Sequence, residues 1–289
     1  MSGKAIRSFR YTGVTRDIVS LIPDIVYSRR NGHELKLSLF VQKSLKYDAV
    51  HAERLPLIVY LEGSGYLQPN YNVCMGQLAS LASHGFTVAM VTPGSFLDGW
   101  SFEDIHINYK TAIRCLRANA DIYGIEPDHV IAWGTSSGGT SAAFAGLSGD
   151  RAEYKTAEYA QFSDQVQCVV CLAGPQDLFS LLNDTSRGKF YHENWLLRNS
   201  QQEWETALSA GSTAFLLKEN RIHCPFYLVH SDSDEMVPFD QTAHFYQQLQ
   251  EANHIAEMVL LKGAPHQNGL TTDILEDAVR FIRHAFASS

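Results

Sequence analysis

The stretch Trp133-Gly134-Thr135-Ser136-Ser137-Gly138-Gly139 constrains this chain more than any other part of it. It follows an apolar run over 129–133 that reads as a buried strand, and it opens a run of small residues reaching Gly146 that reads as a helix. A Gly-x-Ser-x-Gly between a strand and a helix is the pattern of a nucleophile elbow, in which a sharp turn lifts one serine hydroxyl above a sheet. Such a turn needs small residues at 134 and 138 so that strand and helix can approach, and it places Ser136 in a strained backbone conformation. The same five-residue pattern also arises in ordinary loops, and the strand-turn-helix setting separates this one from them.

The rest of the chain supplies the sheet that such an elbow requires. Leu35, Leu37, Leu39 and Val41 alternate with their neighbours, which predicts a half-exposed antiparallel strand. Apolar runs over 57–61, 86–91, 129–133, 166–172, 225–230 and 256–261 predict buried parallel strands. Between them, Ile105, Tyr109, Ala112, Ile113, Leu116, Ala120 and Tyr123 form one apolar stripe of a helix that Gly124 would cap. Near the end, Asp273 and Glu276 resemble a capping box for a helix with Ile274, Ala278, Phe281, Ile282 and Ala285 facing inward. Strands alternating with helices give a mostly parallel central sheet with helices on both faces. One domain over 1–289 is the simplest organisation. Residues 176–221, which include the polar run 184–189, Trp195 and Trp204, contain no clear strand and are expected to form a small cap-like insertion above the sheet.

Composition excludes several other classes. Of 289 residues, 45% are hydrophobic and 19% charged, as in an ordinary globular chain. A net charge of −8 without a charge run argues against a nucleic-acid partner. No stretch approaches the ~18 apolar residues of a membrane span, and the N-terminal residues lack the apolar core of a secretion signal, so the expected location is cytoplasmic. Five cysteines suit reduced thiols better than a disulfide framework. Cys168 and Cys171 have C-x-x-C spacing, but on a strand residues three apart point to opposite faces, which argues against a redox or metal pair. No metal and no cofactor is expected.

A serine needs an imidazole to take its proton, and the base follows the last strand when the order is nucleophile, acid, base. Of twelve histidines, His266 in Lys262-Gly263-Ala264-Pro265-His266 occupies that place. The segment after 225–230 offers Asp232, Asp234 and Glu235 as the acid. Asp234 is favoured, and the other two are expected to serve the loop's own hydrogen bonds. Asp177 is an outside candidate whose ordinary role would be to cap a helix starting near Leu178. For an oxyanion, the Ser137 N–H at a helix start and the Ser64 and Gly65 N–H groups of Leu61-Glu62-Gly63-Ser64-Gly65-Tyr66 are the candidate donors. The Ser137 side chain is expected to matter little.

With these parts assembled, the sequence resembles the α/β-hydrolase esterases grouped as BD-FAE or hormone-sensitive-lipase-like, which include acetyl xylan and feruloyl esterases. The likeness runs from about Pro23 to Phe286. It includes Trp100-Ser101-Phe102-Glu103-Asp104-Ile105, Arg114-Cys115-Leu116-Arg117-Ala118-Asn119-Ala120, Tyr123-Gly124-Ile125-Glu126-Pro127-Asp128 and Gly174-Pro175-Gln176-Asp177-Leu178. The resemblance implies an α/β-hydrolase fold and a serine carboxylesterase with Ser136, Asp234 and His266 as its triad. It departs from the family where the oxyanion turn usually begins His-Gly-Gly-Gly and this chain reads Glu62-Gly63-Ser64-Gly65. An ionised glutamate aimed at a developing oxyanion would oppose it, so Glu62 is expected to turn away and hydrogen-bond the loop backbone.

The implied substrate is a small acyl or aryl ester, with acetylated or feruloylated carbohydrate as an instance, and Tyr66, Trp100 and Trp195 are candidate contacts for it. Two other readings share the scaffold: a serine peptidase of the prolyl-oligopeptidase kind and a non-catalytic binding protein. The expected partner is a small-molecule ester, with neither nucleic acid nor membrane involved; a homo-oligomer stays open.

Overall fold

The structure, a computed structural model, describes residues 18–42, 54–183, 191, 193, 195, 201–219, 224–266 and 270–287. The polar run 184–189 and residues 267–269 of the histidine loop therefore lie outside the described residues. The N-terminal part opens with β1 (Val19–Arg30), β2 (His33–Gln42), β3 (Leu55–Leu61), α1 (Met75–Ser83), β4 (Thr87–Thr92), α2 (Phe102–Ala118) and α3 (Ala120–Tyr123). The elbow region follows as β5 (Ile125–Thr135), α4 (Ser137–Ser148) and β6 (Cys168–Leu172). Then come α5 (Leu178–Asn183), α6 (Gln201–Gly211), α7 (Thr213–Glu219), β7 (Phe226–Ser231), α8 (Phe239–Glu251), β8 (Ala256–Leu261) and α9 (Thr272–Ala287).

The strands form one eight-stranded sheet in the order β1-β2-β4-β3-β5-β6-β7-β8. β2 runs antiparallel to both β1 and β4, and every pairing from β4 through β8 is parallel. This is the α/β-hydrolase fold. Each strand predicted from an apolar run is present. β1 is an addition: its first half is largely exposed, its pairing with β2 is irregular between Ile22 and Ile25, and no apolar alternation marks it.

Period-two alternation sends each strand's side chains to two separate cores. Leu57, Val59, Tyr109, Ile113, Phe144, Cys171 and Leu228 fill one, and Ile58, Tyr60, Leu78, Trp133, Cys168, Tyr227 and Ile282 the other. Cys168 and Cys171 thus lie on opposite faces of the sheet, and all five cysteines are buried and free. Burial pushes the Cys171 thiol up to about 12, so it is held as an inert thiol.

The helices fix the loops that carry chemistry. Ser101 Oγ accepts the Asp104 N–H while the Asp104 carboxylate accepts the Ser101 N–H, so α2 opens on a reciprocal capping box. Its predicted stripe is buried from Ile105 to Ala120 and half-buried at Tyr123, although the helix breaks at Asn119 and only α3 reaches the left-handed Gly124. On α9, Ile274, Ala278, Phe281, Ile282 and Ala285 are buried as expected, the larger ones contributing about 1.5–3 kcal/mol each. Asp273 falls inside the first turn of α9 and not at its cap, because the Leu275 N–H already bonds Thr271 O. Among the described residues, no helix is long and apolar enough to cross a membrane.

Candidate active site

The elbow is formed by three glycines whose missing side chains leave no room for anything else. A Cβ on Gly134 would lie 2.1 Å from Gly138 O, and one on Gly138 would lie 2.1 Å from Leu61 O. One on Gly63 would lie 2.5 Å from Ser136 Cβ. β3, β5 and α4 therefore meet at backbone contact, and Ser136 takes φ 53° and ψ −127°, a conformation that L residues rarely adopt. Its N–H donates to Leu172 O at 2.7 Å, which ties the strained turn to β6.

The loops after β7 and β8 bring the other two groups to this serine. His266 Nε2 lies 2.9 Å from Ser136 Oγ, and Nδ1 of the same ring lies 2.7 Å from Asp234 Oδ2. Asp234 Oδ1 accepts the N–H groups of Met236 and Val237, both at 2.8 Å. Burial pushes the Asp234 carboxyl up, but His230, His266 and these amides outweigh it and hold the group well below the usual carboxylate range. The acid is therefore ionised, and the His266 nitrogen facing it carries a proton.

The remaining polar groups of the acid loop hold the histidine loop. Asp232 Oδ1 accepts the Gly263 N–H at 2.8 Å, Ser231 Oγ accepts the Ala264 N–H at 3.1 Å, and Glu235 Oε2 accepts the His266 N–H at 3.1 Å. Asp232 also accepts the Ser233 hydroxyl at 3.0 Å within its own loop, as expected, so it serves both loops, while Glu235 bonds the neighbouring loop. Asp177 accepts the Phe179 and Ser180 N–H groups and caps α5, which is the ordinary role foreseen for it.

The turn over Glu62–Tyr66 is more tightly built than the sequence suggests. Glu62 Oε1 accepts the Gly63 N–H at 2.9 Å and Oε2 accepts the Tyr60 hydroxyl at 2.6 Å, so the carboxylate does bond the loop backbone. The Ser64 N–H donates to Ser137 Oγ at 3.1 Å. That contact corrects two expectations: the Ser64 amide is already engaged, and the Ser137 hydroxyl fastens the turn to the elbow. The N–H groups of Gly65 and Ser137 have no acceptor among the described residues, and the latter stands at the N-terminus of α4, where the helix dipole favours negative charge.

Of the three aromatic candidates, Tyr66 and Trp195 back the turn over Glu62–Tyr66 and Trp100 packs apart from it. Tyr66, Trp100 and Trp195 are only 1–3% exposed. Tyr66 packs edge-on against Phe102 and Trp195, and Trp100 stands beneath Arg30 near Gly94. Trp195 Nε1 donates to Gly65 O at 2.8 Å, and Tyr191 hydroxyl donates to Met236 O at 3.2 Å. These two residues thus connect the oxyanion turn with the acid loop. Sequence reasoning missed His230, which also stands against Asp234; its only signal was a histidine four residues before the favoured acid. Among the described residues, no group of three His, Cys, Asp or Glu side chains is placed to hold a metal.

Known proteins resemble this chain in sequence and in fold. The chain is 25% identical over 234 residues to an isoprenylcysteine alpha-carbonyl methylesterase of Arabidopsis thaliana, a match spanning 78% of this chain and 52% of the plant protein. It is 27% identical over 164 residues to the esterase LipC of Mycobacterium tuberculosis, spanning 55% of this chain and 40% of that one. The chain therefore spans about half the length of the curated relatives it matches. Among solved structures, a truncated carbohydrate esterase from gut microbiota superposes with a TM-score of 0.78 at 21% identity, covering 95% of this chain and 99% of that one. The butyrate-bound esterase Est2 of Thermogutta terrifontis gives 0.73 at 21% identity, covering 90% and 93%. The BD-FAE family profile matches residues 45–249, a span that contains both the elbow and Asp234, and the chain belongs to the BD-FAE family.

Proposed function

We propose that this chain is a serine carboxylesterase that cleaves small acyl or aryl esters through an acyl-enzyme. The observation that carries the reading is a single imidazole within hydrogen-bond reach of both an elbow serine and an ionised carboxylate. Ser136 Oγ attacks the ester carbonyl as its proton passes to His266 Nε2. Asp234, ionised throughout, orients the ring and stabilises the imidazolium. The oxyanion is met by the Gly65 and Ser137 N–H groups, which are fixed before charge develops. The C–O bond to the alcohol breaks as the alcohol oxygen takes the proton back from Nε2. Water then attacks the acyl-enzyme by the same route, releasing the carboxylic acid and restoring Ser136.

Acylated carbohydrate is the substrate class the reading favours, supported by family membership and by the likeness to a carbohydrate esterase. The described residues within 176–221 form a small cap at the site, supported by the bonds from Tyr191 to the acid loop and from Trp195 to Gly65 O. Turnover of p-nitrophenyl acetate and methyl ferulate, set beside a proline p-nitroanilide and a Ser136→Ala control, tests the assignment. Ester cleavage lost in Ser136→Ala supports it; cleavage of the anilide alone would make the chain a peptidase.

A further inference from the structure

We propose that His230 is a positioning residue that holds the carboxylate of Asp234 in register with His266. The inference rests on the esterase reading and extends it by one residue. His230 is the penultimate residue of β7, with a side chain that is 0% exposed, and its Nε2 lies 3.1 Å from Asp234 Oδ2 and 3.1 Å from Val237 O. Both neighbours only accept, since an ionised carboxylate and a carbonyl have no hydrogen to give. Nε2 must therefore carry the ring proton. The other nitrogen, Nδ1, lies 2.6 Å from Thr242 Oγ1 on α8, so the tautomer is fixed from that side by a hydroxyl.

The consequence is a carboxylate with every direction constrained. Oδ1 takes the Met236 and Val237 amides, and Oδ2 is shared between His266 Nδ1 at 2.7 Å and His230 Nε2 at 3.1 Å. Rotation of the carboxylate about its χ2 bond would break all of these contacts at once. The amides hold one oxygen from the acid's own loop. His230 holds the other from β7 of the sheet. A line of contacts thus runs from Thr242 on α8 through His230 and Asp234 to His266 and Ser136.

A purely structural role makes a different prediction. If the imidazole served only to fill space between β7 and α8, a leucine or a glutamine would alter stability without altering chemistry. If it positions the acid, the chemistry must follow the donor at Nε2. A side-chain amide on glutamine reaches about as far as that nitrogen and keeps a donor there, whereas leucine keeps bulk alone.

The test uses the full chain with p-nitrophenyl acetate as substrate and a fluorophosphonate as a substrate-independent reporter of Ser136 reactivity. His230→Leu is expected to lower kcat and the labelling rate together by about 10- to 100-fold, the scale for a misplaced catalytic group, with KM nearly unchanged. His230→Gln should recover most of that loss. A folded His230→Leu enzyme with wild-type kcat would overturn the proposal, as would a His230→Gln variant no faster than His230→Leu at an equal melting temperature. Should His230→Leu fail to fold, Thr242→Val removes only the hydroxyl at Nδ1. A kcat loss of several-fold at constant KM then supports the proposal and an unchanged kcat overturns it. A wild-type protein inert to both reagents would instead refute the esterase reading on which the proposal rests.

Discussion

Gly63→Ala puts one methyl group where the oxyanion turn meets the nucleophile elbow. Its Cβ would stand 2.5 Å from Ser136 Cβ and 2.7 Å from Thr135 O. Ordinary carbon contacts lie near 3.5–4.0 Å, so relief requires a displacement of about 1 Å. Neither neighbour is the free end of a flexible chain, because one is backbone and the other is the nucleophile's own Cβ. The turn must therefore retreat from the elbow and carry the Gly65 N–H away from the site where the oxyanion forms. A misplacement of about 1 Å costs on the order of 10²-fold in rate, or about 2.7 kcal/mol of activation free energy. The loss should appear in kcat for p-nitrophenyl acetate with KM little changed, accompanied by the ~1–3 kcal/mol of destabilisation usual for overpacking. Gly76→Ala is the control, since a Cβ there meets nothing within 4 Å and Gly76 lies within α1. It should leave kcat unchanged and raise stability by up to about 1 kcal/mol. A folded Gly63→Ala protein turning over within about threefold of wild type would refute the close approach of turn and elbow as the basis of the site.

Three other expectations follow from individual contacts. Glu62→Ala leaves the Gly63 N–H without its acceptor and should lower kcat several-fold; steady-state turnover that rises instead would contradict a supporting role for Glu62. Trp195→Phe retains an aromatic ring but loses the bond to Gly65 O, and at about 1 kcal/mol for such a bond kcat should fall roughly fivefold; a rate equal to wild type would show that the indole N–H does not brace the turn. Asp234, whose carboxyl is depressed on folding, contributes stability that is fully present above the ordinary carboxylate value of about 3.9 and is lost as pH falls below it toward the folded value. Denaturant unfolding of wild type and Asp234→Asn should therefore differ by a constant amount from about pH 7 to pH 5 and converge as the pH falls below about 4. A gap that widens on acidification would reverse the sign assigned to the shift.

The clustering of Ser136, Asp234 and His266 was legible because each stands in a loop directly after an apolar run, so chain order alone placed them at one end of a parallel sheet. The bond between Glu62 and the loop backbone was also foreseen, by an electrostatic argument that required no coordinates. β1 escaped because Leu21 and Ile22 are exposed and give no alternation, although Asn31-Gly32, both with positive φ, is the hairpin turn that announces it. The Ser64–Ser137 contact joins residues 73 positions apart, and neither the engagement of one amide nor the direction of one hydroxyl can be read from residue types. His230 was hidden for a related reason: a histidine near the end of a buried strand looks like any satisfied core imidazole until β7 and the acid loop are folded against each other. Of the aromatic residues, Tyr66 and Trp195 stand at the Glu62–Tyr66 turn as buried support. The Tyr66 and Trp195 rings pack edge-on against each other at 1–2% exposure, Trp100 packs apart from them against His33 and Arg30, and the contribution of Trp195 comes through its N–H.

The central claim is that His266, oriented by Asp234, makes Ser136 the reactive nucleophile of this chain. Treating the protein with a fluorophosphonate and mapping the adduct by peptide mass spectrometry tests it most directly. The account predicts one adduct, on Ser136, formed at least about 10³-fold more slowly in His266→Ala. An adduct on another residue, or an equal rate without the imidazole, would contradict it.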